Sequence, residues 1–386
     1  MARLIPGFRP PVVADAPISL DGLADAFNTS NQASVNIRSR TALARFDDRN
    51  VHLKTSDIDL GVEAAALRDG ATLGHHDDVR SVSLIAFDAV RNLLMTGHAD
   101  GESLFNVLWN RTSIWTSPGG ADAARCCDAA ERIARWLRAF HALSAERGAA
   151  VASRSEECVR IIVETALGKL QSLERSGHSP FGRHELEAIR RLIVTAASSP
   201  DWALLPVRRI HGDFCHANML MGRDGVVSVL DFADCRWGFA LEDFARLWCS
   251  IWEIAGTGRR RHGSLTSALG RLIAAGGLDP VIVDTPPFQL LRTWNAITKM
   301  LEAATVARTL PRGTRVIVNR LARVHQDWLV ETIGPFLAEG QRAAAEPFAD
   351  EIQQPRHAGL LATALVQQTG FVRNTVEPDE YPQLTS

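Results

Sequence analysis

The chain has 386 residues, with 42 lysines and arginines against 44 aspartates and glutamates, and 46% of it is hydrophobic. A net charge of −2 gives none of the basic excess that nucleic-acid binding calls for. No apolar run approaches the roughly 20 residues that span a bilayer. The first residues, Met1 to Gly7, lack the continuous hydrophobic stretch of a signal peptide. The six cysteines form no CxxC pair and no disulfide framework, so reduced thiols and a cytoplasmic location are expected. The length suits two lobes of ordinary size.

In chain order, residues 1–20 read as an N-terminal arm and 21–96 as a small sheet-bearing lobe. Residues 34–37 and 42–46 read as strands around a loop, Arg38-Ser39-Arg40-Thr41. A turn at 47–50 leads into a strand ending at Lys54, and Gly61 to Arg68 is strongly helical. His75-His76-Asp77-Asp78 falls in a polar turn. Residues 81–87 and 91–95 are expected to pair as a hairpin, and Thr96 to Leu104 reads as a connector ending in a helix start. Residues 97–340 are mostly helical, with amphipathic patterns at 129–141, 158–173, 185–197, 241–255, 265–275, 288–306 and 315–333. Trp248 and Trp252, spaced i,i+4, read as core. Arg259-Arg260-Arg261-His262 reads as a Gly-flanked loop, either a solvated face or a grip for an anionic acceptor. Residues 341–386 form a polar, Pro-containing tail with a short helix at 358–367.

One region carries chemistry. His211-Gly212-Asp213-Phe214-Cys215-His216-Ala217-Asn218 precedes an apolar run, a Gly222-Arg223-Asp224-Gly225 turn, and a β-branched run ending at Leu230-Asp231-Phe232. Folded as a hairpin, it sets Asn218 at the start of one strand and Asp231 at the end of its partner. Asp213 then lies on the entering loop. A loop carboxylate beside an Asn and an Asp suits phosphoryl transfer with a bound cation. The competing reading is a metal-dependent phosphoesterase using His211, Asp213 and His216, with His75 to Asp78 as further ligands.

The basic residues add a second clue. Lysine occurs only at Lys54, Lys169 and Lys299. A strand lysine at Lys54, nine residues before Glu63 on a helix, matches the pair that holds nucleotide phosphates in kinases. The alternative is an exposed lysine beside an exposed glutamate.

The segments HGDFCHAN and LDFADCRWGFALEDFA resemble the catalytic and metal-binding segments of the aminoglycoside phosphotransferase and choline kinase superfamily. Gly212 stands where protein kinases carry Arg and points to the small-molecule branch. The resemblance implies an α+β, two-lobed protein-kinase-like fold, with a small antiparallel-sheet N-lobe and a mostly helical C-lobe. By it, Asp213 is the base, His211 braces the loop, and Asn218 and Asp231 hold Mg2+. Asp243 would pack behind the loop, and His141 is a recurrent helix-end residue. Lys54 and Glu63 would serve the phosphates of ATP, or alternatively GTP. Backbone from Met95 to His98 would meet the adenine. Ser39 and Thr41 would replace the glycine-rich loop that is absent here. Cys215 and Phe239 depart from the family pattern at the floor of the acceptor site, whose wall would include Trp294 and Lys299. The partner is a small-molecule hydroxyl acceptor, an aminoglycoside, sugar or amino alcohol, with the protein a monomer or homodimer. An acidic pocket for a polycationic acceptor would draw on Glu331, Glu339, Glu346, Asp350 and Glu351. The rival is a pseudokinase-like binding protein without turnover.

Overall fold

The computed structural model describes residues 34–36, 39–46, 49–112, 121–144, 151–305 and 310–345. Residues 1–337 form one compact unit and 338–386 a second. Arg38, the acidic residues Glu346, Asp350 and Glu351, the side chain of Glu339, and the expected helix at 358–367 lie outside the described residues.

The first described elements are β1 (Ser34–Asn36), β2 (Ser39–Phe46) and β3 (Arg49–Ser56). On β3, Val51 and Leu53 are fully buried and alternate with less buried neighbours, the period-two signature of a strand with one face on the core. Helix α1 (Gly61–Thr72) buries Ala64, Ala66 and Leu67 together with Glu63. Then come β4 (Val79–Ser81), β5 (Leu84–Asp88) and β6 (Leu93–Gly97). Five of these strands form an antiparallel sheet in the order β1-β2-β3-β6-β5.

Two expectations are corrected in this region. Ser39 and Thr41 are not in a loop: β2 already begins at Ser39, and Thr41 pairs with Lys54 across the sheet. A β-branched residue in register extends the strand. Nor does the 81–95 hairpin start at Ser81. That residue belongs to β4, which runs parallel to the strand at Val227–Val229; the β5–β6 pair begins at Leu84 with a register shift before Ala86. Gly70 on α1 permits the approach, since a Cβ there would sit 2.9 Å from Ser81 Oγ.

After β7 (Glu102–Ser103), the Ser103 hydroxyl accepts from Asn106 N and caps α2 (Leu104–Arg111). Helices α3 (Ala121–Ala142), α4 (Val151–Arg175) and α5 (Arg183–Ala197) lead to β8 (Val207–Ile210). A further hairpin is β9 (Met219–Met221) with β10 (Val227–Val229), and it joins a sheet ordered β4-β10-β9-β7. Strand β11 (Arg236–Phe239) pairs with β8 and leads into α6 (Ala240–Ala255). This helix is buried on nearly every side, as expected of a helix at the centre of a lobe. Helices α7 (Arg259–Ala275), α8 (Pro286–Thr305) and α9 (Arg312–Ala345) follow. Helix α7 packs on α3 and α6, and α8 on α4, α5 and α6.

The arginine run at 259–262 is thus the first turn of α7, not a loop. Cations in a first turn oppose the helix dipole, so the local sequence argued against a helix there. Arg261 lies 3.8 Å from the centroid of the Trp109 ring. Trp248 and Trp252 stack at 5.9 Å, as core residues do, and Arg292 lies 4.1 Å from the Trp252 centroid.

Candidate active site

The turn after β8 carries Asp213, and three devices fix it. Asp243, one turn into α6 and 1% exposed, accepts from His211 N at 2.7 Å and Gly212 N at 2.9 Å. It also accepts from His141 Nε2 at 2.9 Å. Gly212 has φ of +86°, and a Cβ there would lie 2.1 Å from Asp234 O, so this turn admits only glycine. His211, fully buried, accepts from Asp213 N at its Nδ1 and so donates from Nε2 to Leu230 O at 3.0 Å. The histidine therefore links the loop of Asp213 to the strand end that carries Asp231.

Asn218 and Asp231 come together as the hairpin requires. Met219 pairs with Val229, and Leu230 N donates to Asn218 O at 2.9 Å. Asn218 turns its amide nitrogen to Asp213, donating to its backbone oxygen and to Oδ2, both at 2.9 Å. Asp231 follows with φ of +63°, a conformation that costs a non-glycine residue energy and is typical of functional sites.

Lys54 closes the arrangement. Its ammonium lies 2.8 Å from Glu63 Oε2 and 2.8 Å from Asp231 Oδ1. Burial disfavours the charge, but Asp231 and Glu63 outweigh it and hold Lys54 above the ordinary lysine range. Thr41, its cross-strand partner, shares its face of the sheet. The Ser39 side chain lies outside the described residues, and its backbone pairs with Ser56. Met95 is buried inside β6, between β3 and β5. Beyond it, Gly97 N donates to Ser83 O and His98 N to Asn50 O.

Residues 96–279 match the model of the phosphotransferase enzyme family. The match covers slightly under half of the chain, and this segment is similar to that family. The fold of the chain is similar to that of an aminoglycoside 2′-phosphotransferase mutant solved with GDP, at 12% identity and a TM-score of 0.50, over 78% of this chain and 92% of that one. It is similar also to a glucosamine kinase, at 13% identity and a TM-score of 0.51, over 81% of this chain and 84% of that one. A glucosamine kinase in complex with glucosamine, ADP and inorganic phosphate gives 14% identity and 0.51, over 86% and 89%. At these identities the likeness shows the two-lobed kinase-like fold. No curated protein matches the chain in sequence.

The candidate site has residues that the sequence reading missed. Arg246, one turn after Asp243 on α6, donates to Asp213 Oδ1 from Nε at 3.1 Å and Nη2 at 2.9 Å, and its Nη1 reaches Asn295 on α8. Burial alone would raise the Asp213 carboxyl, but the Arg246 guanidinium and the Asn218 amide oppose it and the carboxyl is held at about 2. The depressed value gives folding stability that is present above the ordinary carboxyl range and lost as pH falls towards about 2. We expect Arg246→Met to free the carboxyl to titrate higher, moving the acid limb of kcat/KM to higher pH. An unmoved limb in a pH–rate series would contradict the pairing.

A second missed residue is Glu253, fully buried on α6. Its oxygens take His216 Nε2 at 3.1 Å and His325 Nε2 at 2.9 Å, with Lys299 Nζ at 3.7 Å. His216 therefore anchors the turn before Asn218. Among the described residues, no group of three or more His, Cys, Asp and Glu is placed to hold a metal, so the phosphoesterase ligand set is not assembled. Cys215 is buried, which pushes its thiol up to about 12, and Phe239 packs against Trp202 with no exposed surface. These two departures from the family pattern are core residues. Lys299 also lies 3.4 Å from Glu302 on α8. Among the described residues, no helix is long and apolar enough to cross a membrane.

Proposed function

We propose that this site moves the γ-phosphoryl group of ATP, or of GTP, to a hydroxyl of a small molecule, with Asp213 as the base. The observation that carries the reading is the Lys54 ammonium touching both Glu63 and Asp231, the latter 177 residues away. Motifs read independently in the sequence meet at one point, where a phosphate-binding lysine is next to a carboxylate suited to the cation.

Asn218 and Asp231 fit Mg2+. Both present oxygen donors, and with its amide nitrogen on Asp213 the Asn218 carboxamide oxygen takes no hydrogen bond from the described residues. When bound there, the ion supplies neutralisation of phosphate charge. Lys54, steadied by Glu63, binds the α- and β-phosphates, with Thr41 and Ser39 on the neighbouring strand as further contacts. The chain from Met95 to His98 meets the adenine edge through carbonyls, since the amides of Gly97 and His98 are already bonded.

Asp213 orients the acceptor hydroxyl and receives its proton. A carboxylate held at about 2 is a weak base towards a neutral alcohol. Its proton transfer therefore comes late, once the hydroxyl oxygen has begun to bond phosphorus and become acidic, as in a loose transition state. His211 and Asp243 hold the carboxylate in place and touch no reactant. The test is γ-labelled ATP or GTP with Mg2+ and a mixed panel of hydroxyl compounds. Label should pass to an acceptor in the wild type and not in Asp213→Asn; equal transfer by both would remove Asp213 from the chemistry.

A further inference from the structure

Three lysines occur among 42 basic residues, and all three lie about this site. Lys54 pairs with Glu63 and Asp231, and Lys299 with Glu253 and Glu302. Lys169, on α4, differs. Its Nζ donates to Thr298 Oγ1 at 2.9 Å and lies 5.5 Å from the centroid of the Trp294 ring. Among the described residues it has no carboxylate within 4.0 Å, although the charges of Asp213, Asp234, Glu302 and Arg246 all reach it. An ammonium has three donors, and one is used here by a neutral hydroxyl. Burial, first, and Arg246, next, lower the Lys169 ammonium to about 8, so it is still mostly charged at neutral pH. A partly buried cation without an anion ordinarily has one supplied to it.

The position tells which molecule supplies it. Helix α8 offers Asn295 to Arg246 and, one turn on, Thr298 to Lys169. Lys169 and the residue that holds Asp213 are therefore set on one helix face. Asp213 is itself neutralised by Arg246, so this carboxylate, close to Lys169, does not by itself repel an incoming anion. Resting on the phosphotransferase reading above, we propose that the acceptor is a hydroxyl compound bearing an anionic oxygen group, a carboxylate or a phosphate, and that Lys169, held in place by Thr298, binds that group through its remaining donors. Trp294 packs its ring beside Lys169 and walls this position.

The test uses the full-length protein saturated with Mg2+ and a non-hydrolysable nucleotide, titrated calorimetrically with D-gluconate, glucose 6-phosphate, D-glucose and kanamycin. The first two separate carboxylate from phosphate as the anion, and the last two are neutral and cationic controls. At least one acid should bind about 10- to 100-fold more tightly than glucose, the range of a hydrogen bond to a charged group. Lys169→Gln should abolish that preference, and Lys169→Arg should retain part of it. Tighter binding of glucose or kanamycin, a preference that survives Lys169→Gln, or no binding of either acid to nucleotide-loaded protein would each overturn the proposal. Failure of the nucleotide itself to bind would instead overturn the phosphotransferase reading.

Discussion

Asp213→Asn should lower phosphoryl transfer by about 10²- to 10⁴-fold, the range over which a positioned acid–base group acts. The substitution keeps the size of the side chain and an oxygen that can still accept from Asn218. It removes the charge that Arg246 clamps and the site to which the hydroxyl proton goes. Nucleotide binding should survive, because Lys54, Glu63 and Asp231 contact one another without Asp213. Single-turnover transfer with labelled nucleotide and nucleotide-induced thermal stabilisation separate the two effects. A parallel loss of both would mean that Asp213 shapes the nucleotide site and is not the base.

The largest effect on stability is expected at Asp243. One carboxylate accepts from two successive backbone amides of the turn that carries Asp213 and from His141, in an almost fully buried position. Burial opposes its charge, but His141, His211 and the backbone donors outweigh it and hold the carboxyl below the ordinary range. Asp243→Ala orphans all three donors and leaves a void. Breaking a buried charged network by removing one partner costs about 3–5 kcal/mol. Asp243→Asn should cost less, since it keeps the shape and one acceptor oxygen. The midpoint of urea unfolding measures both; a loss under about 1 kcal/mol for Asp243→Ala would show that the turn is held by other contacts.

The parts of this site that were legible in the sequence are those fixed by local pattern. The Gly222 to Gly225 turn between two apolar runs fixes the hairpin register, and the register brings Asn218 to Asp231. The contact of Lys54 with Glu63 was legible because the chain has few lysines and a strand-to-helix step separates the two. The missed features depend on partners far apart in the chain. Strand β4 pairs in parallel with β10, which lies about 150 residues on, and no local periodicity announces such a pairing. Arg246 stands at i+3 from Asp243, a spacing that carries meaning only once Asp243 is known to face the catalytic turn. Glu253 looks in sequence like one more helix acid, and its histidine partners come from the catalytic turn and from α9. The arginine run at 259–262 misled for the opposite reason: its local signal was against a helix, and packing of α7 on α3 and α6 prevails.

The central claim is that Asp231 and Lys54 belong to a working nucleotide site, and thermal unfolding tests it most directly. Wild type and Asp231→Ala are heated with ATP or GTP, each with and without Mg2+. Nucleotide at about 100 times its Kd stabilises the native state by about 2.7 kcal/mol. The account predicts a magnesium-dependent rise in Tm for the wild type that Asp231→Ala loses. No rise with either nucleotide, or an equal rise in the variant, would contradict it.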